Sequence, residues 1–78
     1  MANVTIYSTP YCVYCKMAKA FFGENKVAFT EHDVAEDEAA REDMIKKSGQ
    51  LGVPVIDIDG KVVIGFDKNQ LKSLLGIK

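Results

Sequence analysis

The sequence predicts an α/β fold in which three helices flank a four-stranded mixed sheet, in the order β-α-β-α-β-β-α. Short runs rich in β-branched and aromatic residues alternate with segments whose apolar residues recur at helical spacing. Asp59-Gly60 joins the last two strand-like runs and is typical of a two-residue hairpin turn. The 78 residues are 47% hydrophobic and 27% charged, which predicts one globular domain over residues 1–78.

The first strand is predicted over Val4–Tyr7, where β-branched and aromatic residues follow one another. Ser8-Thr9-Pro10 interrupts it, and the first helix is predicted over Val13–Phe22. Gly23 is a natural stop for that helix. Its apolar stripe is predicted to comprise Tyr14, Met17, Ala18 and Phe21. We expect Met17 and Phe21 to be core residues.

The second strand is predicted over Val27–Val34, because polar and apolar residues alternate there. The second helix is predicted over Glu38–Lys47, with Asp37 as its N-cap. Acidic residues in its first turn and lysines in its last turn match the helix dipole. Its apolar stripe is thin and comprises Ala40, Met44 and Ile45.

The third and fourth strands are predicted over Val55–Ile58 and Lys61–Ile64, and the third helix over Lys68–Leu75 after an Asp67 N-cap. Pro54 precedes the third strand, which we expect to be an edge strand. The first two strands should run parallel through a right-handed crossover. The first and third helices should share one face of the sheet, with the second helix on the other.

Composition and charge argue against several classes of function. The net charge is −1 and no basic stretch stands out, so we expect no nucleic-acid partner. No apolar run approaches membrane-spanning length. Met1-Ala2-Asn3 is polar and shows no secretion signal, which predicts a cytoplasmic protein in a compartment that keeps thiols reduced.

The functional prediction rests on Cys12 and Cys15, which lie where a strand has ended and a helix begins. A helix start carries free N–H groups and the positive end of the dipole, so a cysteine there is stabilised as the reactive thiolate. Cys15 lies one turn further on the same helix face, within disulfide reach. The spacing and setting predict a site that cycles between a dithiol and a disulfide.

Other roles for this pair of cysteines remain open from the residues alone. They are inert core residues in one alternative and a structural disulfide in another, although so short a loop restrains little chain entropy. A zinc site needs four ligands, so only a dimer pooling both pairs would complete it. Lys16 is either a cation that stabilises the thiolate or a solvated side chain. His32 is either a general base or, as its strand position favours, solvated.

Together these motifs resemble the glutaredoxin family of the thioredoxin fold, and the resemblance covers nearly the whole chain. It is carried by Cys12-Val13-Tyr14-Cys15, Val53-Pro54, Asp59-Gly60 and Gly65-Phe66-Asp67. The resemblance implies a thiol–disulfide oxidoreductase, an electron carrier that reduces protein or glutathione mixed disulfides. It implies that Cys12 attacks, that Cys15 resolves, and that the Val53–Pro54 peptide is cis. An iron–sulfur cluster held by two chains is the alternative, because the family includes cluster carriers.

We predict that seven residues contact the substrate: Thr9, Tyr14, Val53, Pro54, Gly65, Phe66 and Asp67. Backbone groups of Val53-Pro54 would hold an extended peptide or the cysteine of glutathione. Free N–H groups at the start of the last helix would meet a glutathione carboxylate. Asp67 would meet the ammonium group or serve only as a cap. Tyr14 would line the site or simply pack.

Departures from the family pattern bear on the electron donor. Many glutaredoxins have a proline at the position of Val13, a lysine or arginine at Thr9, and a threonine at Gly52. The usual double glycine is Gly65-Phe66 here, and this turn and Val13 are closer to the redoxins that reduce ribonucleotide reductase. Those redoxins take electrons from thioredoxin reductase. We therefore expect a monomer without a tightly bound cofactor that uses glutathione weakly and a flavoprotein reductase or another dithiol efficiently.

Overall fold

The computed structural model of the protein describes residues 3–50 and 52–77. Its elements are β1 (Val4–Ser8), α1 (Val13–Glu24), β2 (Thr30–Asp33), α2 (Glu38–Ser48), β3 (Val55–Ile58), β4 (Lys61–Ile64) and α3 (Lys68–Leu75). The strand order is β2-β1-β3-β4, with β1 parallel to β2 and β3 antiparallel to both of its neighbours. The predicted fold is therefore confirmed. Within the two described ranges, no helix is long and apolar enough to cross a membrane.

The helices cover the sheet as predicted, with α1 and α3 on one face and α2 on the other. The core under α1 and α3 consists of Val4, Ile6, Ala18, Phe21, Phe22, Ile56, Ile58, Val63 and Leu71. The smaller core under α2 consists of Tyr7, Val34, Ala40, Met44 and Val55. Neighbouring residues of β1 point to opposite faces, so this strand contributes to both cores.

The buried stripe of α1 differs from the predicted one. Its buried residues are Cys15, Ala18, Phe21 and Phe22. Phe21 is a core residue as predicted, but the prediction for Met17 is wrong, because 45% of its surface is exposed. The helix is rotated about its axis so that Cys15 faces the core and Tyr14 and Met17 face outward. Ile45 of α2 is likewise more exposed than its predicted stripe implied.

Helix α1 continues past Gly23 to Glu24, two residues beyond its predicted end. Asn25 explains the extension, because its backbone N–H and its side-chain amide both donate to the carbonyl of Phe21, at 3.2 and 2.9 Å. These bonds satisfy an orphan carbonyl of the last turn. Gly23 therefore lies within the helix instead of ending it.

Strand β2 is shorter than the predicted range Val27–Val34 and begins only at Thr30. The backbone N–H of Val27 donates to the carbonyl of Phe22 at 2.8 Å, and Lys26 has a left-handed backbone with a φ of 56°. The residues after α1 thus serve the turn that closes the helix. Pairing with β1 therefore begins at Thr30, three residues later than the hydrophobic periodicity indicated.

Lys47, in the last turn of α2, ties this helix to the sheet. Its Nζ donates to the Tyr7 hydroxyl at 3.0 Å and lies 2.9 Å from Oδ2 of Asp57. The Tyr7 hydrogen bond, and then the one to Asp57, raise the pKa of Lys47 above its usual range. These contacts attach α2 to both β1 and β3.

We expect Lys47→Met to lower the free energy of unfolding by about 1 kcal/mol, since it leaves the Asp57 carboxylate without its cation while solvent screens part of the loss. Lys46→Met is the matched control, because Lys46 is exposed and takes part in no salt bridge among residues 3–50 and 52–77. Urea unfolding measures both variants. An equal loss in the two variants would contradict this role of Lys47.

Candidate active site

The register of the sheet gathers the predicted site residues at one end of the fold. Tyr7 near the end of β1 lies opposite Val55 at the start of β3, and Val55 lies opposite Ile64 at the end of β4. The loop to α1, the segment before β3 and the turn to α3 therefore leave the sheet at the same edge. This edge carries Cys12, Pro54 and Gly65.

Cys12 is the N-cap of α1, with an extended backbone. Its Sγ accepts a hydrogen bond from the backbone N–H of Cys15 at 3.1 Å. Its own N–H donates to the carbonyl of Thr9 at 3.3 Å, which closes the preceding turn. Cys12 is half-buried, and its sulfur takes the place that a serine or aspartate oxygen commonly occupies at a helix start. The donated N–H and the helix dipole both favour negative charge on it.

Cys15 has a different environment, since none of its surface is exposed. Burial removes water from the thiolate and is the main reason that the pKa of Cys15 rises to about 12, with the hydrogen bond to Cys12 adding to it. Both cysteines are free thiols. One sulfur of the pair is therefore reachable from solvent, and the other is held neutral beneath it.

The buried thiol should make the protein less stable at alkaline pH. An unfolded Cys15 loses its proton near its ordinary pKa of 9.0, whereas the folded one keeps it up to about pH 12. The folded state then binds more protons above pH 9.0, so the free energy of unfolding falls as pH rises.

We expect the wild type to lose about 1 kcal/mol more than Cys15→Ser between about pH 8 and about pH 10. Urea unfolding under reducing conditions at the two pH values measures this difference. Equal pH dependence in the two proteins would show that Cys15 is not held neutral by the fold.

The Val53–Pro54 peptide is cis, and Pro54 is buried. The expectation that β3 is an edge strand is wrong, because β3 lies between β1 and β4. The carbonyl of Pro54 is also occupied, since it accepts from the N–H of Gly65 at 2.8 Å. Val53 makes no backbone hydrogen bond with any residue of the described ranges. Among the described residues, the backbone N–H and carbonyl of Val53 therefore have no backbone partner, whereas the carbonyl of Pro54 has one.

The turn into α3 contains three further predicted contact residues, Gly65, Phe66 and Asp67. Gly65 has a φ of 81°, a left-handed conformation that favours glycine. The Phe66 ring lies edge-on to Phe21 with centroids 6.0 Å apart, so it faces α1. Oδ1 of Asp67 accepts from the N–H of Gln70 at 3.1 Å, which confirms Asp67 as the cap of α3.

Thr9 borders a polar cleft of about 350 Å³ whose charged residues are Lys19, Glu31 and Asp33. Lys19 Nζ lies 2.8 Å from Glu31 Oε2, and the same oxygen accepts from the Ser8 hydroxyl at 2.7 Å. These donors lower the pKa of the Glu31 carboxyl. The cleft thus holds two carboxylates against one cation. Sequence reasoning missed the Lys19–Glu31 pair, for which the only signal was that Lys19 lies one turn after Cys15.

The positions of Tyr14, His32 and Lys16 bear on the roles predicted for them. Tyr14 is 62% exposed on the first turn of α1, so it does not pack into the core. His32 stacks on Tyr7 with ring centroids 5.5 Å apart, on the sheet face that α2 covers. The sheet separates it from Cys15, which argues against a general base. Lys16 is exposed and makes no side-chain hydrogen bond within residues 3–50 and 52–77.

Comparison with known proteins identifies the family of this chain. The family model described as Glutaredoxin matches residues 4–63. The chain belongs to the glutaredoxin family. Glutaredoxin 3 of Escherichia coli strain K12 is 45% identical to it over 67 residues, which cover 86% of this chain and 81% of that protein. The glutaredoxin-like protein NrdH of Lactococcus lactis strain MG1363 is 35% identical over 71 residues, which cover 91% of this chain and 97% of that protein.

A solved structure shows the same fold. The crystal structure of a mutant of the thioredoxin-like protein BC3987 aligns over 100% of both chains with a TM-score of 0.92 and 37% identity. A glutaredoxin of this kind belongs to the thiol–disulfide oxidoreductases, so the activity class of this glutaredoxin follows from its family.

Proposed function

We propose that this glutaredoxin reduces disulfides through the Cys12/Cys15 dithiol. The observation that carries the proposal is the asymmetry of the pair. Cys12 is half-buried and its sulfur accepts the N–H of Cys15 at the helix start, whereas Cys15 itself is 0% exposed. A nucleophile that exchanges with external disulfides must be reachable as thiolate, and a resolving thiol must be close but shielded.

The reaction follows from these positions in two steps. The Cys12 thiolate attacks one sulfur of the substrate disulfide and forms a mixed disulfide, while the other sulfur leaves as a thiolate that takes a proton from water. Cys15 then attacks the sulfur of Cys12 and its proton passes to the departing sulfur, so the second substrate sulfur is released as a thiol. The substrate gains two electrons, and the protein is left with a Cys12–Cys15 disulfide that an external reductant must reopen.

The substrate would be held by backbone groups on both sides of the cysteines. The N–H and carbonyl of Val53, which have no backbone partner in the described part of the chain, can pair with an extended chain as an added strand would. The N–H groups at the start of α3, after Gly65, suit a carboxylate. Oδ1 of Asp67 already caps the helix, so a contact between Asp67 and an ammonium group would use its other oxygen.

We propose that the protein acts as a monomer in the reducing cytoplasm, without a tightly bound cofactor. The burial of Cys15 argues against the zinc site, because a site pooling two pairs needs both sulfurs at the surface. Colour and metal content of the purified protein test it. A stoichiometric metal or cluster in a dimer would replace the proposal with the carrier function.

The donor experiment compares glutathione and a flavoprotein of the thioredoxin-reductase type as reductants of the oxidised protein. We expect the flavoprotein to reopen the Cys12–Cys15 disulfide efficiently and glutathione to do so weakly. If neither these reductants nor a small dithiol restores two titratable thiols, the protein does not cycle and the proposed function is wrong.

A further inference from the structure

Large apolar side chains exposed to solvent are concentrated around Cys12. Six are exposed among the described residues, and four of these lie within residues 11–17. The four are Tyr11, Val13, Tyr14 and Met17, with exposed fractions of 84%, 66%, 62% and 45%. Single exposed apolar residues are ordinary, but a contiguous patch usually marks an interaction surface. These four residues flank Cys12, whose sulfur is proposed to react, on the loop before α1 and on the first turns of that helix.

The patch continues into a cleft of about 310 Å³, which we call the α1–α3 cleft. It is lined by Met17, Ala20, Phe21, Glu24, Phe66 and Lys68. Phe21 and Phe66 form its aromatic wall, and the Nζ of Lys68 lies 6.0 Å from the centre of the Phe21 ring. Lys68 opens α3 at the sheet edge that carries Cys12, whereas Glu24 ends α1 at the far end. The end of the cleft toward Cys12 is therefore the cationic one.

The distance from Cys12 to the cleft limits what can occupy it. Met17 is five residues along α1 from Cys12, an advance of about 7.5 Å. An extended chain covers that distance in two or three residues at about 3.3 Å each. Glutathione carries no bulky apolar side chain that could fill the apolar part of the cleft, which is lined by Met17, Phe21 and Phe66. A polypeptide bound through its cysteine to Cys12 reaches it.

We propose that the α1–α3 cleft is a docking subsite for protein substrates. The cleft takes a bulky apolar side chain that lies two or three residues from the substrate's own cysteine. Lys68 favours an acidic residue next to that side chain. The inference rests on the proposed exchange at Cys12 and narrows its substrate class to disulfides in extended, apolar and acidic protein segments. Met17 belongs both to the exposed apolar residues near Cys12 and to the lining of the cleft. A protein segment bound to Cys12 can therefore also occupy the cleft.

The test uses peptides whose single cysteine is joined by a disulfide to a coloured aromatic thiol. Reduced protein attacks the peptide sulfur, and the released aromatic thiolate reports the second-order rate constant. One peptide has leucine three residues to each side of the cysteine, and its control has serine there. We expect the leucine peptide to react about tenfold faster, equivalent to about 1.4 kcal/mol, which partial burial of one leucine can supply.

Variants locate the preference on the molecule. Met17→Ser should bring the leucine peptide to the rate of the serine peptide, and Ile45→Ser is the matched control, an exposed apolar residue on α2. We expect the wild type to react faster with a peptide that has glutamate next to the leucine than with one that has lysine there. Lys68→Glu should reverse this order. A mixed disulfide of the same aromatic thiol with mercaptoethanol should react at one rate with all these proteins.

The outcomes separate this inference from the proposed function. A wild type that does not distinguish leucine from serine, or a Met17→Ser variant that still does, overturns the docking subsite. A wild type that is dimeric by sedimentation, with a monomeric Met17→Ser variant, overturns it too by giving the cleft to a second copy. Failure to react even with the mercaptoethanol disulfide would instead reject the exchange chemistry itself.

Discussion

Cys12→Ser should lower the rate of disulfide exchange by about a thousandfold or more, because the serine hydroxyl at this site is not activated as the thiolate is. Cys15 does not replace it, since its sulfur is 0% exposed and burial raises its pKa to about 12. The fold should remain, because serine can cap α1 in the same position. Exchange is measured with the small aromatic disulfide.

Cys15→Ser is the matched variant and should behave differently. Its Cys12 should react with the first disulfide at a rate close to that of the wild type. The mixed disulfide should then persist, because no second sulfur lies beneath Cys12 to resolve it. If Cys12→Ser kept most of the activity and Cys15→Ser lost it, the roles proposed for the two cysteines would be reversed.

Thr9→Lys should raise glutathione-dependent turnover about ten- to a hundredfold. Glutathione carries two carboxylates and one ammonium group at neutral pH, and one charge-assisted contact is worth about 1.5–3 kcal/mol. Thr9 borders the cleft in which Lys19 is already paired with Glu31 at 2.8 Å and Asp33 adds a second carboxylate. Among the described residues, the lining of this cleft therefore offers glutathione no unpaired cation, and the new lysine supplies one.

Thr9→Gln is the control, since it adds length at this position without charge. The gain should appear chiefly as a lower KM for glutathione, and reduction by the flavoprotein should change little. Strong wild-type turnover at low millimolar glutathione that Thr9→Lys does not improve would place the protein among the ordinary glutathione-dependent members of its family.

Local patterns were enough to predict the elements of this fold. Capping residues such as Asp37 and Asp67 accept the helix N–H groups expected of them. The Asp59-Gly60 turn joins β3 and β4 as predicted, and the two cysteines lie at the start of α1. Each of these features depends on residues within about four positions of one another, where sequence patterns are informative.

The wrong or missed predictions depend on competing hydrogen bonds or on contacts between distant residues. Propensity placed Val27 in a strand, but the carbonyl of Phe22 captures its N–H to close α1. Pro54 favoured an edge strand, yet strand order depends on pairing that no short motif encodes. The contact between Lys47 and Tyr7 joins residues 40 positions apart. Met17 fitted a helical stripe, and only the orientation of α1 on the sheet showed that it faces outward.

The most direct test of the central claim is to map the covalent intermediate. Cys15→Ser is mixed with the peptide disulfide, digested without reduction and analysed by mass spectrometry, while the wild type is treated identically. The account predicts the peptide on Cys12 in the variant, and a Cys12–Cys15 disulfide with free peptide in the wild type. A wild type in which the peptide stays bound, or in which both cysteines remain as thiols, would contradict it.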